Sequence, residues 1–170
     1  WSSRGTLLVG THLANAELQR LARAGRKGAP DTFDSAGYAA LLQRLRDQRD
    51  QRDQRDQRDG DEIIYAPEFR RAIEEPIAGA IAVFPQTRLI ITEGNYLLLD
   101  QGPWSRVAAL LDDVWYIDVD DAQRDHRLVQ RHEHFGRSAQ AARAWVANTD
   151  APNARLIAAT RSRADWVFRW

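Results

Sequence analysis

Short apolar runs alternate with helical patterns over most of the chain. Strands are predicted at residues 6–9, 62–66, 88–92 and 114–119, with a weaker one at 166–168. Apolar residues at i, i+3, i+4 and i+7 predict two amphipathic helices. Their apolar positions are Tyr38, Leu41, Leu42 and Leu45 in the first and Trp104, Val107, Ala108 and Leu111 in the second. Further helices are predicted at 122–135, 139–146 and 154–160.

This alternation predicts an α/β fold, in which a mainly parallel sheet is flanked by helices. Residues 89–91 and 114–117 are nearly continuous apolar runs, which is typical of strands covered on both faces. In such folds ligands bind outside the carboxyl ends of the strands, so polar residues that follow each run are the candidates for chemistry.

Composition narrows the class of protein. The 170 residues carry 24 Lys and Arg against 24 Asp and Glu, which predicts one domain over 1–170 with no overall attraction to nucleic acid. With no cysteine, thiolate catalysis and cysteine-based metal sites are excluded. No apolar stretch approaches the roughly 20 residues of a membrane span, so we expect a cytoplasmic protein without a membrane partner.

One polar repeat interrupts the pattern. Residues 46–60 contain four copies of Gln-Arg-Asp and end at Gly60. A period of three places no apolar face on a helix, so the segment cannot contribute to a core. We expect a solvated helical extension or a disordered insertion, with a partner-binding arm as the alternative.

Glu93 is the strongest single candidate. It follows the apolar run 88–92 and precedes Gly94. A carboxylate in this position can hold Mg²⁺ of a bound nucleotide through water, because Mg²⁺ keeps part of its hydration shell. A glutamate that only caps the next turn is the alternative.

Two basic segments have both a structural and a functional interpretation. In the loop 26–34, Arg26 and Lys27 can hold an anionic or polyhydroxylated ligand and Asp31 can accept its hydroxyl hydrogen bonds, or the loop is a connection. In the helix 122–135, the arginines form either a solvated face or a lid that neutralises charge on a transferring phosphoryl group.

Five motifs, in order along the chain, resemble one family. They are His12-Leu-Ala-Asn15, Arg26 to Asp34, Tyr65 to Arg71 with Glu74-Glu-Pro76, Thr92-Glu-Gly-Asn-Tyr-Leu-Leu98, and Arg131-His132 with Phe135-Gly136. Together they resemble the bacterial nucleoside/nucleotide kinases, which are P-loop proteins akin to uridine kinase and bacterial pantothenate kinase. The resemblance implies a P-loop kinase-like fold and phosphoryl transfer from ATP to the hydroxyl of a nucleoside-like or related small metabolite.

The resemblance also implies roles for individual residues. Glu93 would match the acidic residue near Mg²⁺, and Arg127 and Arg131 would act in the lid. The acceptor pocket would contain His12, Lys27, Asp31 and Arg71. Asn153 would lie near the adenine of ATP.

The sequence departs from the family pattern in two places. No Gly-x-x-x-x-Gly-Lys-Ser/Thr motif occurs in these residues, which implies that the first βα unit of the kinase fold is missing and that ATP binds weakly. Val9 stands where the family has an aspartate base. The alternative function is therefore a ligand-binding or interaction remnant of a kinase fold. An RNA-binding module is a third hypothesis, against which the neutral charge argues. The sequence gives no indication of the oligomeric state.

Overall fold

A computed structural model describes residues 5–8, 10–54 and 62–170. The side chains of 5–8 and 51–54 are not described. The chain divides into two compact units, Trp1–Leu111 and Asp112–Trp170.

The first unit is built on two strand pairs. The strands are β1 (Gly5–Leu8), β2 (Ile64–Arg70), β3 (Glu75–Val83) and β4 (Leu89–Thr92). β1 pairs in parallel with β4, and β2 forms an antiparallel hairpin with β3. The helices are α1 (Asn15–Arg20) and α2 (Ser35–Gln54). Short 3₁₀ turns lie at Ala24–Arg26, Pro30–Thr32, Gly102–Arg106 and Ala108–Leu110.

The second unit contains the parallel pair β5 (Trp115–Asp118) and β6 (Trp166–Arg169). Its helices are α3 (Asp121–His134), α4 (Ala139–Trp145) and α5 (Ala151–Ala158). A π-helical turn over Val146–Asp150 joins α4 to α5, and a 3₁₀ turn lies at Arg161–Arg163. The mixed α/β class with parallel strand pairs confirms the predicted fold class.

The core of the first unit follows the predicted apolar face of α2. Tyr38, Leu41, Leu42 and Leu45 are all less than 9% exposed, as their helical spacing requires. Trp104 and Val107 are buried beside them in the first unit's core. α2 runs into the Gln-Arg-Asp repeat as far as Gln54, and Gln48 donates a hydrogen bond to the Glu62 carbonyl at 2.6 Å. Residues 55–60 of the repeat and the following Asp61 lie outside the described residues.

Two predictions of local structure are wrong, and one strand was not predicted. The strand predicted at 62–66 is confirmed from Ile64 and extends to Arg70 as one arm of an antiparallel hairpin, whose partner β3 was not predicted. The helix predicted from Trp104 to Leu111 is two 3₁₀ turns. The apolar runs of β4 and β5 are not covered on both faces, since Leu89, Ile91, Trp115 and Ile117 are 54–63% exposed.

No helix among the described residues combines the length and the apolar character needed to cross a membrane.

Candidate active site in the first unit

The candidate site begins where β1 and β4 end. Leu8 lies opposite Thr92 in the parallel register, so Gly10 and Glu93 both follow the carboxyl edge of this pair. Gly10 has φ = +115°, and a Cβ there would lie 2.3 Å from the backbone nitrogen of Phe69. Glycine alone allows the chain to pass this close to β2. The close approach brings the following residues, including His12, against the hairpin.

His12 lies between two aromatic rings. Its ring centroid is 4.2 Å from that of Phe33 and 4.5 Å from that of Phe69. Burial, followed by the positive charges of Lys27 and Arg71, lowers the pKa of His12 to about 4. Its Nδ1 atom is buried without a hydrogen-bond partner in the described part of the chain. The imidazole is therefore neutral near pH 7.

An aromatic cluster packs against Phe33. Phe33 packs edge-on against Tyr96 and Trp104, with centroids 5.6 and 6.0 Å away. The Tyr96 hydroxyl donates to the Gly28 carbonyl at 2.5 Å, and Trp104 Nε1 donates to the Pro30 carbonyl at 3.1 Å. These hydrogen bonds fix the loop 26–34 on the core and thereby fix Phe33.

Lys27 is engaged within the protein. Its Nζ donates to Asn15 Oδ1 at 2.8 Å and to the Glu74 carbonyl at 2.7 Å, and lies 5.1 Å from the Phe69 ring centroid. The backbone N–H of Asn15 in turn donates to the Glu75 carboxylate. Lys27 thus ties α1 and its own loop to the β2–β3 turn, although its charge is close enough to act on His12.

Asp31 is engaged in the same way. Arg26 Nη1 lies 2.6 Å and Arg23 Nε 3.3 Å from its carboxylate oxygens, and Arg23 also donates to its carbonyl at 2.8 Å. These contacts close the loop 26–34 on itself. A ligand hydroxyl at Asp31 has to compete with two guanidinium groups.

Glu93 is exposed, and its carboxylate forms no hydrogen bond or ion pair with the described residues. The preceding residue, Thr92, is held by a 2.6 Å hydrogen bond between its hydroxyl and that of the buried Tyr38. An unpaired carboxylate on a fixed strand end fits a contact to Mg²⁺ through water. Within the described ranges no three His, Asp or Glu side chains are grouped so that they could bind a metal ion together. Glu93 would therefore contact Mg²⁺ without a second imidazole or carboxylate ligand from these ranges.

The remaining predicted residues lie in the second unit. Arg127 and Arg131 are exposed on α3, and their guanidinium groups form no ion pair with described residues, whereas Arg124 is paired with Asp121 and Asp125. Asn153 lies on α5, three residues after Asp150. Asp150 Oδ2 is 2.8 Å from His132 Nε2, which joins the π-helical turn before α5 to the end of α3.

The residues present fit an acceptor pocket better than a nucleotide site. The 170 residues contain no P-loop motif, and Lys27 is their only lysine. Lys27 Nζ is held by Asn15 and the Glu74 carbonyl, so its ammonium group is already engaged within the protein.

The structure brings His12, Lys27 and Arg71 together around Phe69, and places Glu93 on the same edge as Gly10. Sequence reasoning did not single out Phe33, Phe69 or Gly10, although all three belong to or adjoin the motifs quoted above. The feature that could have identified Phe33 and Phe69 is that each is an apolar residue inside an otherwise polar motif.

No protein-family model matches the sequence. Individual proteins do match the sequence. The chain is 36% identical over 106 residues to an ATP-dependent kinase-like protein of Aspergillus versicolor, a match that covers 62% of this chain and 57% of that protein. It is 42% identical over 72 residues to a Schizosaccharomyces pombe protein that is named as a uridine kinase, covering 42% of this chain and 31% of that protein. The chain thus matches little more than half the length of the first relative and about a third of the second.

Solved structures extend the likeness to nearly the whole chain. A Silicibacter protein named as a fructose transport system kinase superimposes with a TM-score of 0.80 and 36% identity, covering 96% of this chain and 73% of that one. YFH7 of Saccharomyces cerevisiae, described as a P-loop kinase with a circular permutation, has a TM-score of 0.76 at 22% identity, covers 98% of this chain and 57% of that one, and shares the fold. The chain therefore belongs to the family of the Silicibacter protein that is named as a fructose transport system kinase, and it shares the fold of the P-loop kinase YFH7.

Proposed function

We propose that this chain carries the acceptor side of an ATP-dependent kinase that phosphorylates a hydroxyl of a nucleoside-like or related small metabolite. The observation that supports this most is the neutral His12 between Phe33 and Phe69, which follows β1 at the edge where β4 ends and Glu93 follows. In this proposal the aromatic rings, the neutral imidazole and the Glu93 carboxylate, which is unpaired among the described residues, would hold an uncharged part of a metabolite beside a metal–phosphate group.

Each residue has a distinct role in this proposal. The rings of Phe33 and Phe69 bind the apolar or planar part of the acceptor, and His12 and Arg71 orient its polar groups. Glu93 would hold Mg²⁺ through water, and the metal would neutralise phosphate charge. ATP with Mg²⁺ supplies the phosphoryl group when bound. Arg127 and Arg131 neutralise phosphate charge, and Asn153 contacts the adenine.

In this proposal, most of the rate enhancement comes from the orientation of the acceptor hydroxyl. Phosphoryl transfer passes through a loose transition state, in which positioning and charge stabilisation contribute more than proton removal. The valine at position 9 is therefore compatible with transfer, provided that the acceptor hydroxyl is held in line by the pocket.

A ligand-binding remnant is the second candidate. The observations that favour it are the lack of a P-loop motif in these residues and the engagement of Lys27 with Asn15 and Glu74. In this case the acceptor pocket binds a metabolite and no transfer follows.

The test uses nucleosides and sugars, because relatives are named as uridine kinase and fructose transport system kinase. Acceptor binding is measured by calorimetry, and acceptor-dependent ADP formation is measured at about 10 mM ATP with Mg²⁺, since weak ATP binding is expected. We expect Glu93→Gln to lower ADP formation by at least about 100-fold and to leave acceptor binding unchanged. Glu62→Gln, at an exposed position before β2, is the matched control.

Acceptor binding without ADP formation in the unmodified chain would favour the remnant. If no nucleoside or sugar binds, both functions are contradicted.

A further inference from the structure

His132 is a mostly buried imidazole that the proposed function does not use. Its side chain is 15% exposed, and its Nε2 lies 2.8 Å from Oδ2 of Asp150, which is 20% exposed. A carboxylate offers only acceptors, so the imidazole donates this hydrogen bond. Trp145 packs edge-on against the same ring, with centroids 6.3 Å apart. One side chain at the end of α3 therefore contacts two residues that lie five positions apart.

A π-helical turn brings those two contacts to one side. Trp145 ends α4 and Asp150 ends the turn, in which the backbone N–H of Ala151 donates to the Val146 carbonyl. In a continuous α-helix, residues five positions apart lie about 140° apart around the axis. A turn that is closed between residues i and i+5 brings such residues close to one face. The π turn therefore allows Trp145 and Asp150 to reach the same imidazole.

Pro152 also favours an irregular turn at this point. Within a continuous α-helix its ring would clash with the carbonyl of Asn148, four residues earlier. That clash disfavours a regular helix, but a kink or a break in the helix would relieve it as well as a π turn does. The contacts of His132 make the selection, because the π turn places both of its partners on the ring.

The start of the π turn is anchored in the core of the second unit. Val146 is 5% exposed, and Ala142 on the preceding helix is fully buried. The face of the Trp145 indole is covered by Arg137, whose guanidinium carbon lies 3.9 Å from the ring centroid. Because this end of the turn is fixed, the contact at Asp150 sets the direction in which α5 leaves it.

We propose that His132 is a positioning residue, which maintains the π turn through Asp150 and Trp145 and thereby sets the direction in which Asn153 faces. Asn153 follows Asp150 by three residues. A change of one residue in the register of a helix rotates every later side chain by about 100°, so loss of the π turn re-aims Asn153. The nucleotide part of this inference rests on the proposed function, in which Asn153 contacts the adenine of ATP.

Hydrogen exchange measured by NMR tests the role of His132 in the turn. His132→Leu removes both ring nitrogens and keeps an apolar side chain against Trp145. We expect the Ala151 amide, which closes the π turn, to exchange at least about tenfold faster in this variant, while amides near the start of α3 keep their rates. Asp150→Ala should produce the same local change, and it replaces His132→Leu if that variant does not fold.

His126→Leu is the matched control, because it removes an exposed imidazole from the same helix. It should leave the exchange rate of the Ala151 amide unchanged.

An ATP titration tests the consequence for Asn153. Its side-chain amide resonances are followed up to about 10 mM ATP with Mg²⁺, since weak binding is expected. We expect ATP to shift these resonances in the unmodified chain and in His126→Leu. The shifts should be at least about threefold smaller in His132→Leu and in Asp150→Ala.

Three outcomes would contradict parts of this account. An unchanged Ala151 exchange rate in both His132→Leu and Asp150→Ala would show that Pro152 alone maintains the turn, and would overturn the inference while the proposed function stands. A uniform rise over the whole second unit would overturn it too, because His132 would then contribute only general stability. If ATP does not shift Asn153 in the unmodified chain, the adenine contact of the proposed function fails, and the exchange rates alone decide whether His132 holds the turn.

Discussion

Replacement of Gly10 by alanine should disrupt the pocket through the backbone. Gly10 has φ = +115°, which L side chains rarely adopt, and its new Cβ would lie 2.3 Å from Phe69 N and 2.6 Å from the Glu68 carbonyl carbon. The neighbouring atoms belong to a paired strand, so β2 has to move by about 1 Å to restore normal contact. Backbone strain costs about 1–3 kcal/mol and overpacking a similar amount, which gives a destabilisation of about 2–6 kcal/mol.

Substitutions at two other glycines separate the cost of backbone strain from the cost of overpacking. Gly28 has φ = +105° with nothing near its Cβ position, and Gly25 has neither a positive φ nor a close neighbour. Gly28→Ala therefore measures backbone strain alone, and we expect a loss of about 1–2 kcal/mol. Gly25→Ala should change stability by less than about 0.5 kcal/mol.

Urea unfolding followed by circular dichroism gives the three free energies of unfolding. NMR titration of His12 in the folded Gly10→Ala variant gives a second readout: displacement of Phe69 exposes the ring and raises its pKa from about 4 towards the ordinary value of 6.5. The close-approach argument would be refuted if Gly10→Ala had the same free energy of unfolding as Gly25→Ala and left the pKa of His12 unchanged.

Three further predictions concern pH, the second unit and nucleotide binding. The pKa of His12 is lower in the folded chain than in the unfolded chain, so this residue should not affect stability above pH 6.5 and should lower it as the pH drops from about 6.5 to about 4. His12→Gln should lose this pH-dependent part of the stability. The measurement is the difference between the urea midpoints of the unmodified chain and of His12→Gln across that pH range. His132 and Asp150, whose side chains are 15% and 20% exposed, should show a coupling of about 0.5–1.5 kcal/mol in a double-mutant cycle with His132→Gln and Asp150→Asn, and additive effects would show that their 2.8 Å contact contributes nothing. The 170-residue chain should bind ATP·Mg²⁺ with a Kd above roughly 1 mM, since no P-loop motif occurs in it, and calorimetry that gives a micromolar Kd would require a phosphate site elsewhere in the chain.

The regular core of the fold was predictable because it obeys simple periodicity. Tyr38, Leu41, Leu42 and Leu45 have helical spacing and are all buried on α2. The strands β1, β4 and β5 follow from short β-branched and aliphatic runs. Each of these elements depends mainly on residues close in sequence, which is the information that a single sequence contains.

The segment from Trp104 to Leu111 shows why periodicity can mislead. Residues i and i+3 share a face in a 3₁₀ helix as well as in an α-helix, so the burial of Trp104 and Val107 fits either. Ala108 and Leu111 are only partly buried, and Leu111 already has extended backbone with ψ = 143°. The strand β3 escaped prediction for a different reason, since Pro76 and Gly79 interrupt its apolar alternation.

The candidate site was less predictable because its contacts are distant in sequence. Lys27 was expected to face a ligand, but its Nζ is held by the Glu74 carbonyl, 47 positions away. Nothing in the local sequence of either residue indicates that contact. Likewise, the environment of His12 depends on Phe69, which reaches it only because Gly10 allows the two backbones to touch.

NMR chemical-shift mapping of the acceptor on the unmodified chain tests the central claim most directly. Amide and side-chain resonances are followed while the tightest-binding metabolite from the panel is added. We expect the largest shifts at His12, Phe33, Phe69 and Arg71, with a smaller change at Glu93, and saturation at a single Kd. Shifts confined to other residues, or no saturable shift with any metabolite, would contradict the assignment of this pocket as the acceptor site of a kinase-family protein.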